Sequence, residues 1–383
     1  MKTIQVTVSG IVQGVGFRPF VYTLAKTNGL TGRVWNTSSG VEITLSGSSE
    51  NIESFLETLK NNPPPLARID KVKETFQDYQ PFTDFEIVES LSEQNSFVPI
   101  SPDISICDDC RRELFDPNDR RFRYPFINCT NCGPRLTIIK DIPYDRPKTT
   151  MSEFALCPDC ASEYKDPSNR RFHAQPVACP NCGPKITFHS SRSRKSEGEN
   201  ALQQAREYLR NGKIIAVKGL GGYHIACDAS NESSVATLIT KRHRSQKPLA
   251  LMAFDLDYIR KYCLVSPEEE QLLSSIQHPI VLLQKKPGIS LPDQIAINQK
   301  TLGFMLPYTP LHLLLLEPEV DFPEVLVMTS GNLADEPIAY KDDDAIERLS
   351  PIVDGFLVHN REINIRVDDS VLRVFENSSY FVR

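Results

Sequence analysis

Alternation opens the chain: Ile4, Val6 and Val8 recur at every second position, as a strand with one face in a core requires. Phe17, Phe20, Val21 and Leu24 follow at helical spacing, and Gly29 supplies the stop. Val34 and Trp35 predict a second strand and Val41, Ile43 and Leu45 a third, with Ser38-Ser39-Gly40 turning between them. Ile52, Phe55, Leu56 and Leu59 predict a second helix, closed by Asn61-Asn62 and the prolines at 63–65. Residues 72–76 and 85–88 complete a β-α-β-β-α-β order over residues 1–90. Helix and strand patterns alternate again beyond 200. A helix over 201–209 stops at Gly212, a strand covers 214–217, and Asn231 caps a helix carrying Val235, Leu238 and Ile239. Residues 249–254, 280–283, 303–306 and 325–328 predict strands, and Ser266-Pro267-Glu268-Glu269 a capped helix start. The stretch 189–200 is polar and rich in breakers, and reads as a boundary.

These patterns predict an α+β and α/β multidomain chain. Residues 1–90 form a ferredoxin-like split βαβ unit, 91–190 a cysteine-rich block entered by a polar linker, and 200–383 a twisted α/β sheet domain. A chain of 383 residues is long enough for two or three separate cores. Net charge is −6 with both signs mixed, which suits neither a polyanion nor a membrane surface. The densest apolar patch, 311–316, is too short to span a bilayer, and the strand-like start does not resemble a targeting segment. The last residues, VLRVFENSSYFVR, read as strand sequence that stops without a turn or tail, as expected of part of a longer protein.

Candidate chemistry sharpens the picture most in the middle block. Cys107-x2-Cys110 is followed after eighteen residues by Cys129-x2-Cys132, and Cys157-x2-Cys160 with Cys179-x2-Cys182 repeats this fifty residues on. DPNDRRF (116–122) matches DPSNRRF (166–172), and NCGP occurs in both copies, so one supersecondary unit is written twice. Paired knuckles of this spacing predict two structural zinc ions, each closed by four thiolates. Ligation within each repeat is simplest, although a crossed arrangement stays open. His173 and His189 are spare candidates, read as ordinary surface histidines because four sulfurs already suffice. Residues 101–190 carry thirteen Lys/Arg against twelve Asp/Glu, a poor phosphate-tracking surface, so a scaffold is expected and not a nucleic-acid binder. Reduced cysteines place the chain in the cytoplasm.

The loop Gln13-Gly14-Val15-Gly16-Phe17-Arg18 supplies glycines that turn backbone N–H groups inward just before a helix N-terminus, a nest for an anion. With Asn36 eighteen residues after Arg18, it resembles the acylphosphatase signature. That resemblance implies that Arg18 binds the phosphoryl group and Asn36 orients the attacking water. Further on, Lys218-Gly219-Leu220-Gly221-Gly222-Tyr223-His224 allows close approach of backbone to a ligand but lacks the Walker ending. The basic stretch 241–244, Ser330-x-Asn332, LGGYHIACDA and GFMLPYTPLH together resemble the YrdC family. The resemblance implies an ATP site using Lys218, His224, Ser330, Asn332 and Arg366, with Lys241, Arg242 and Arg244 in either of two registers. Asp368 and Asp369 are candidates for Mg²⁺.

Acylphosphatase-like head, doubled four-cysteine block and YrdC-like domain, in this order, resemble the HypF carbamoyltransferases of nickel–iron hydrogenase maturation. The family implies hydrolysis of carbamoyl phosphate to carbamate, then reaction of carbamate with Mg-bound ATP to give carbamoyl-adenylate. Its acceptor is the C-terminal cysteine of a HypE-like protein. The zinc block is expected to hold the flanking domains apart at a fixed distance. Two other readings have to be weighed: a threonylcarbamoyl-adenylate synthase-like enzyme, and a zinc-ribbon binding protein with inactive flanking domains.

Overall fold

The computed structural model describes residues 1–91, 99–190, 193–242, 247–333 and 336–383. The chain folds into two compact units, one of residues 1–103 with 128–183, the other of residues 104–127 with 184–383.

The first unit begins with β1 (Lys2–Ile11), α1 (Phe17–Thr27), β2 (Thr31–Thr37), β3 (Gly40–Gly47), α2 (Ser49–Asn61), β4 (Arg68–Gln77) and β5 (Phe85–Ile87). The sheet order is β4-β1-β3-β2-β5, antiparallel except where β5 pairs with β2. The alternation decides which face is buried: Ile4, Val6 and Val8 of β1 join Val41, Ile43 and Leu45 of β3 beneath Val21, Phe55 and Leu59 of the two helices. Burying each such side chain is worth about 1.5–3 kcal/mol. Ser48 caps α2 by accepting from the Asn51 amide.

The repeated block contributes α3 (Asp108–Phe115) and α4 (Pro158–Lys165), each starting directly after a first-knuckle cysteine. The second unit continues with β6 (Ile186–Ser190), β7 (Ser193–Glu197), α5 (Glu199–Arg210), β8 (Ile215–Lys218), β9 (Tyr223–Asp228), α6 (Glu232–Lys241) and β10 (Ala250–Ala253). After these come α7 (Leu256–Tyr262), α8 (Pro267–Leu273), β11 (Ile280–Gln284), β12 (Thr301–Met305), α9 (Pro310–Leu315), β13 (Val325–Ser330) and α10 (Asp342–Leu349). β14 (Gly355–His359), β15 (Val371–Phe375) and β16 (Ser378–Phe381) close the chain. Eleven strands make one sheet in the order β16-β15-β11-β12-β10-β13-β9-β8-β14-β6-β7. It is mixed: β10 with β12, β11 with β15 and β8 with β14 run parallel, and the other neighbours antiparallel. The predicted caps form, with Asn231 accepting from the Ser234 amide and Ser266 and Glu269 making a reciprocal capping box.

Two expectations are corrected here. The stretch 189–200 is not a bare connector, since β7 lies within it and pairs with β6 at the sheet edge. Its polar composition suits a strand at the end of the sheet order. The last thirteen residues do turn: Glu376 and Asn377 adopt left-handed backbone (φ 48° and 60°) and join β15 to β16 as a hairpin.

Candidate functional site

In the first unit Gly14 and Gly16 sit at φ 72° and 74°, a conformation that costs glycine little. Val15 and Phe17 are buried in the core, so the loop backbone between them turns to the α1 N-terminus, whose first amides have no intrahelical acceptor. The Gln13 side chain, though it lines the cavity, bonds within the protein. Its Nε2 donates to Thr37 O (2.8 Å) and Gly40 O (2.9 Å), and its Oε1 accepts from the Tyr144 amide (2.9 Å). The Gln13 side chain thus pins the loop to the β2–β3 turn beside Asn36. Arg18, in the first turn of α1, donates from Nη2 to Asp145 Oδ1 at 2.6 Å and from Nη1 to Ser90 Oγ at 3.3 Å. Asn36 is 1% exposed, and its Oδ1 has no partner among the described residues.

Arg18, Asn36, Gly14 and Gly16 share one cavity of about 30 Å³ with Thr130, Arg135, Tyr144 and residues 173–176. Arg135 Nε donates to Gly14 O, and its other nitrogens to the carbonyls of Thr130, Cys132 and Pro134, so the loop is tied to a cysteine knuckle. His173 is not the surface histidine expected. It is half-buried against Tyr164 and Phe172, with ring centroids 5.0 and 4.7 Å away. Burial, and then the Arg18 cation, pull its pKa down to about 4, so the imidazole is neutral. His189 stacks on Phe356 at 5.4 Å and is also half-buried.

The eight knuckle cysteines gather as two quartets, Cys107/Cys110/Cys129/Cys132 and Cys157/Cys160/Cys179/Cys182, each from a single repeat with its sulfurs within 4.8 Å of one another. Neighbouring sulfurs stand apart by 3.8 Å (Cys129–Cys132) and by 3.7 Å (Cys157–Cys179, Cys179–Cys182, Cys182–Cys160). A disulfide needs about 2.05 Å. Four Zn–S bonds of about 2.3 Å at tetrahedral angles put the sulfurs about 3.8 Å apart. The donor sets therefore fit zinc, as closed structural sites.

In the second unit the register places His224 of β9 directly opposite Ser330 of β13, so both side chains share a sheet face. His224 Nε2 lies 3.1 Å from Asp369 Oδ2 and 3.4 Å from the Tyr308 hydroxyl. Burial raises the Asp369 pKa, but the bond and charge of His224 outweigh it and hold the carboxyl below its ordinary value. Asp368 instead meets Arg383 at 3.3 Å, so the two candidate Mg²⁺ carboxylates are engaged separately. Ser330 Oγ donates to Asn332 Oδ1 at 2.8 Å. The fully buried Arg242 donates to Thr329 Oγ1 (3.1 Å), Ser330 O (3.0 Å), and Asn332 O and Oδ1 (3.0 and 2.9 Å). Arg242 thus builds the Ser-x-Asn turn from behind.

The remaining predicted nucleotide residues are dispersed. Lys241 turns away to Ile352 O (3.0 Å), Arg366 is exposed, and Arg244 lies outside the described residues. Lys218 pairs with Tyr223 across β8 and β9 and so faces away from His224. It donates to His359 O (3.0 Å) and meets Asp342 at 2.6 Å; burial lowers its pKa despite that carboxylate. Lys218 opens onto a second cleft of about 710 Å³ with Lys341, Asp342, Asp343, Glu347 and Glu362. At the glycine turn the close neighbour is the chain itself, since a Cβ on Gly221 would stand 2.0 Å from Val367 Cγ2. Sequence reasoning missed Asp145, Arg135, Tyr144 and His173 in the first unit, and the pairing of Asp369 with His224 in the second. One signal was present: His173 occupies the repeat position held by Arg123 in the first copy.

A glycine turn beside Arg18 and Asn36, two thiolate quartets and a strand-end Ser-x-Asn turn define a class of chain in which an acylphosphatase-like head is joined through four-cysteine fingers to a YrdC-like α/β domain. Family models match each part: Acylphosphatase over residues 4–87, HypF finger over 106–139 and 156–189, and telomere recombination (Sua5, YciO and YrdC) over 207–383. The carbamoyltransferase HypF of Synechocystis is 48% identical over 384 residues, covering 100% of this chain and 50% of its own length. A crystal structure of full-length HypF in the phosphate- and nucleotide-bound form superposes with a TM-score of 0.95 at 48% identity, again over 100% of this chain and 50% of that one. An acylphosphatase of Lactobacillus gasseri is 38% identical over 90 residues, 23% of this chain and 99% of that enzyme. The chain belongs to the HypF family. It spans about half the length of the curated relatives it matches. No helix among the described residues is long and apolar enough to cross a membrane.

Proposed function

We propose that this chain activates a carbamoyl group in two steps, one in each unit. In the first, carbamoyl phosphate binds with its phosphoryl oxygens on Arg18 and the 14–17 backbone. Water held at Asn36 Oδ1 attacks phosphorus, the P–O bond to the carbamoyl group breaks, and carbamate and phosphate leave. In the second, a carbamate oxygen attacks the α-phosphorus of Mg-bound ATP near Ser330, Asn332 and His224, displacing pyrophosphate and leaving carbamoyl-adenylate. The observation that carries the reading is a guanidinium and a buried amide with an unpaired Oδ1 converging on one cavity at the α1 N-terminus. Carbamate decomposes in water, so the chemistry favours consumption soon after release.

Transfer to the C-terminal cysteine of a HypE-like acceptor belongs, in this reading, to the part of the relatives that this chain does not span. Thiolate zinc sites suit a reducing compartment, and we place the chain in the cytoplasm. The deciding experiment measures pyrophosphate exchange into ATP with and without carbamoyl phosphate. Exchange dependent on carbamoyl phosphate is expected. Exchange driven instead by threonine and bicarbonate would assign the second unit to threonylcarbamoyl-adenylate synthesis, and none under either condition would leave a zinc-binding protein without this chemistry.

A further inference from the structure

The wall facing Arg18 and Asn36 is made by residues 130–176 of the same unit, and its polar groups are nearly all committed. The one Thr130 hydroxyl proton is shared between the carbonyls of Arg170 (3.0 Å) and Phe172 (3.1 Å), and the Tyr144 hydroxyl donates to Pro134 O (3.3 Å). Gln175 Oε1 accepts from the Arg146 amide (2.7 Å) and the Tyr164 hydroxyl (3.0 Å), while its Nε2 donates to His173 O (2.7 Å). Arg135 is spent on four carbonyls, and Ala174 and Pro176 are apolar. Among the polar side chains of residues 130, 135, 144 and 173–176, which line the cavity on this side, the His173 imidazole is the one with no hydrogen bond to the rest of the described residues. In the same cavity, Asn36 Oδ1 is also uncommitted.

His173 is also held where few residues would be. Its φ is 53°, in the left-handed region that a non-glycine side chain enters at a cost of about 1–2 kcal/mol. The first repeat holds Arg123 at φ 55°, with the same backbone bond: Arg123 N to Leu114 O (2.8 Å) matches His173 N to Tyr164 O (2.9 Å). That shared hook projects one side chain per repeat. Arg123 spends its own on Glu199 and Glu317, at 2.9 and 2.5 Å. His173 brings a neutral ring, with one N–H and one bare nitrogen, to the edge of the Arg18 cavity.

From this we infer that His173 is a specificity-determining residue that selects acyl phosphates whose acyl group carries an N–H donor, accepting a hydrogen bond from the carbamoyl amino group. An acetyl group of similar size offers a methyl there and leaves the imidazole unpaired, which is how a polar pocket rejects an isostere. The inference rests on the acyl-phosphate reading of Arg18 and Asn36 given above, and deepens it by naming the residue that selects the carbamoyl group.

The test compares phosphate release from carbamoyl phosphate and acetyl phosphate by the zinc-loaded chain, its His173→Gly and His173→Asn variants, and Arg18→Ala. Glycine and asparagine both tolerate φ near 53°, so the hook is retained, and zinc content and melting confirm it. Wild type is expected to favour carbamoyl phosphate. His173→Gly is expected to lower kcat/KM for carbamoyl phosphate at least about 10-fold while changing acetyl phosphate less than about 3-fold, and His173→Asn, with its amide oxygen, to restore part of the preference. Equal cleavage of both substrates by wild type, or a ratio unmoved or both rates lowered alike in His173→Gly, would overturn the assignment but leave the acyl-phosphate reading standing. Should His173→Gly lose its zinc, the ratio in His173→Asn decides. Cleavage of neither substrate by wild type, or rates unaffected by Arg18→Ala, would remove the reading itself and the inference with it.

Discussion

A single guanidinium illustrates how much one position decides. Arg18 pairs with Asp145 at 2.6 Å, so a phosphoryl group bound as proposed would compete with a carboxylate already in place. Arg18→Ala is expected to reduce phosphate release from carbamoyl phosphate by about 10²–10³-fold, the range for losing one preorganised charge donor. Unchanged release would exclude Arg18 from the chemistry. Arg242 is a different case. It touches the Ser-x-Asn turn only from its buried side, and Arg242→Ala removes the Arg242 donors to Asn332 O, Asn332 Oδ1 and Ser330 O, of which the last two keep the Ser330 hydroxyl and the Asn332 amide. A loss of about 2–4 kcal/mol in denaturant unfolding is expected, together with weaker nucleotide-dependent exchange; an unperturbed melt would show the turn to be self-supporting. Arg18 and Asn36 were legible in the sequence because one loop and one strand fix both. Asp145 and His173 were not, because they come from more than a hundred residues away and no local pattern announces their approach.

At the scale of elements, spacing and caps carried most of the information. The doubled CxxC spacing foretold two four-sulfur sites, and the structure resolves the open question of pairing by drawing each quartet from one repeat. The Ser266 box and the Asn231 cap formed where the residue types required. Strand β7 escaped because its sequence, SRKSE, has no apolar alternation to read. The quartet Cys157, Cys160, Cys179 and Cys182 belongs to the element that holds the 173–176 wall. Cys160→Ser is accordingly expected to lower zinc from two ions per chain towards one, depress melting, and impair acyl-phosphate cleavage more than nucleotide exchange. Full zinc content and unaltered melting would show that a different donor set binds the metal.

For the whole molecule, buried histidines set the response to acid. Burial drives His173 and His278 down to about 4 and His312 to about 3, and His359 lies well below 6.5. In the unfolded chain these rings protonate below about 6.5, whereas in the folded one they do not until much lower pH. Their contribution is therefore complete above about 6.5 and is lost as pH falls, at about 1.4 kcal/mol per unit for each ring. Melting should drop markedly between pH 7.5 and 5.0. His312, fully enclosed with both nitrogens unpartnered among the described residues, is the cleanest probe. His312→Phe should recover about 2 kcal/mol of the loss at pH 5.0, and an identical acid drop in that variant would shift the cause elsewhere. The fingers carry one more lesson. Since residues 123 and 173 hang from equivalent backbone pegs, the metal-held scaffold works as a bracket whose attachment can be exchanged while the mounting stays put. One copy grips a carboxylate pair and the other lends a ring to a cavity. Duplication of a thiolate knuckle can thus yield two different tools from a single casting.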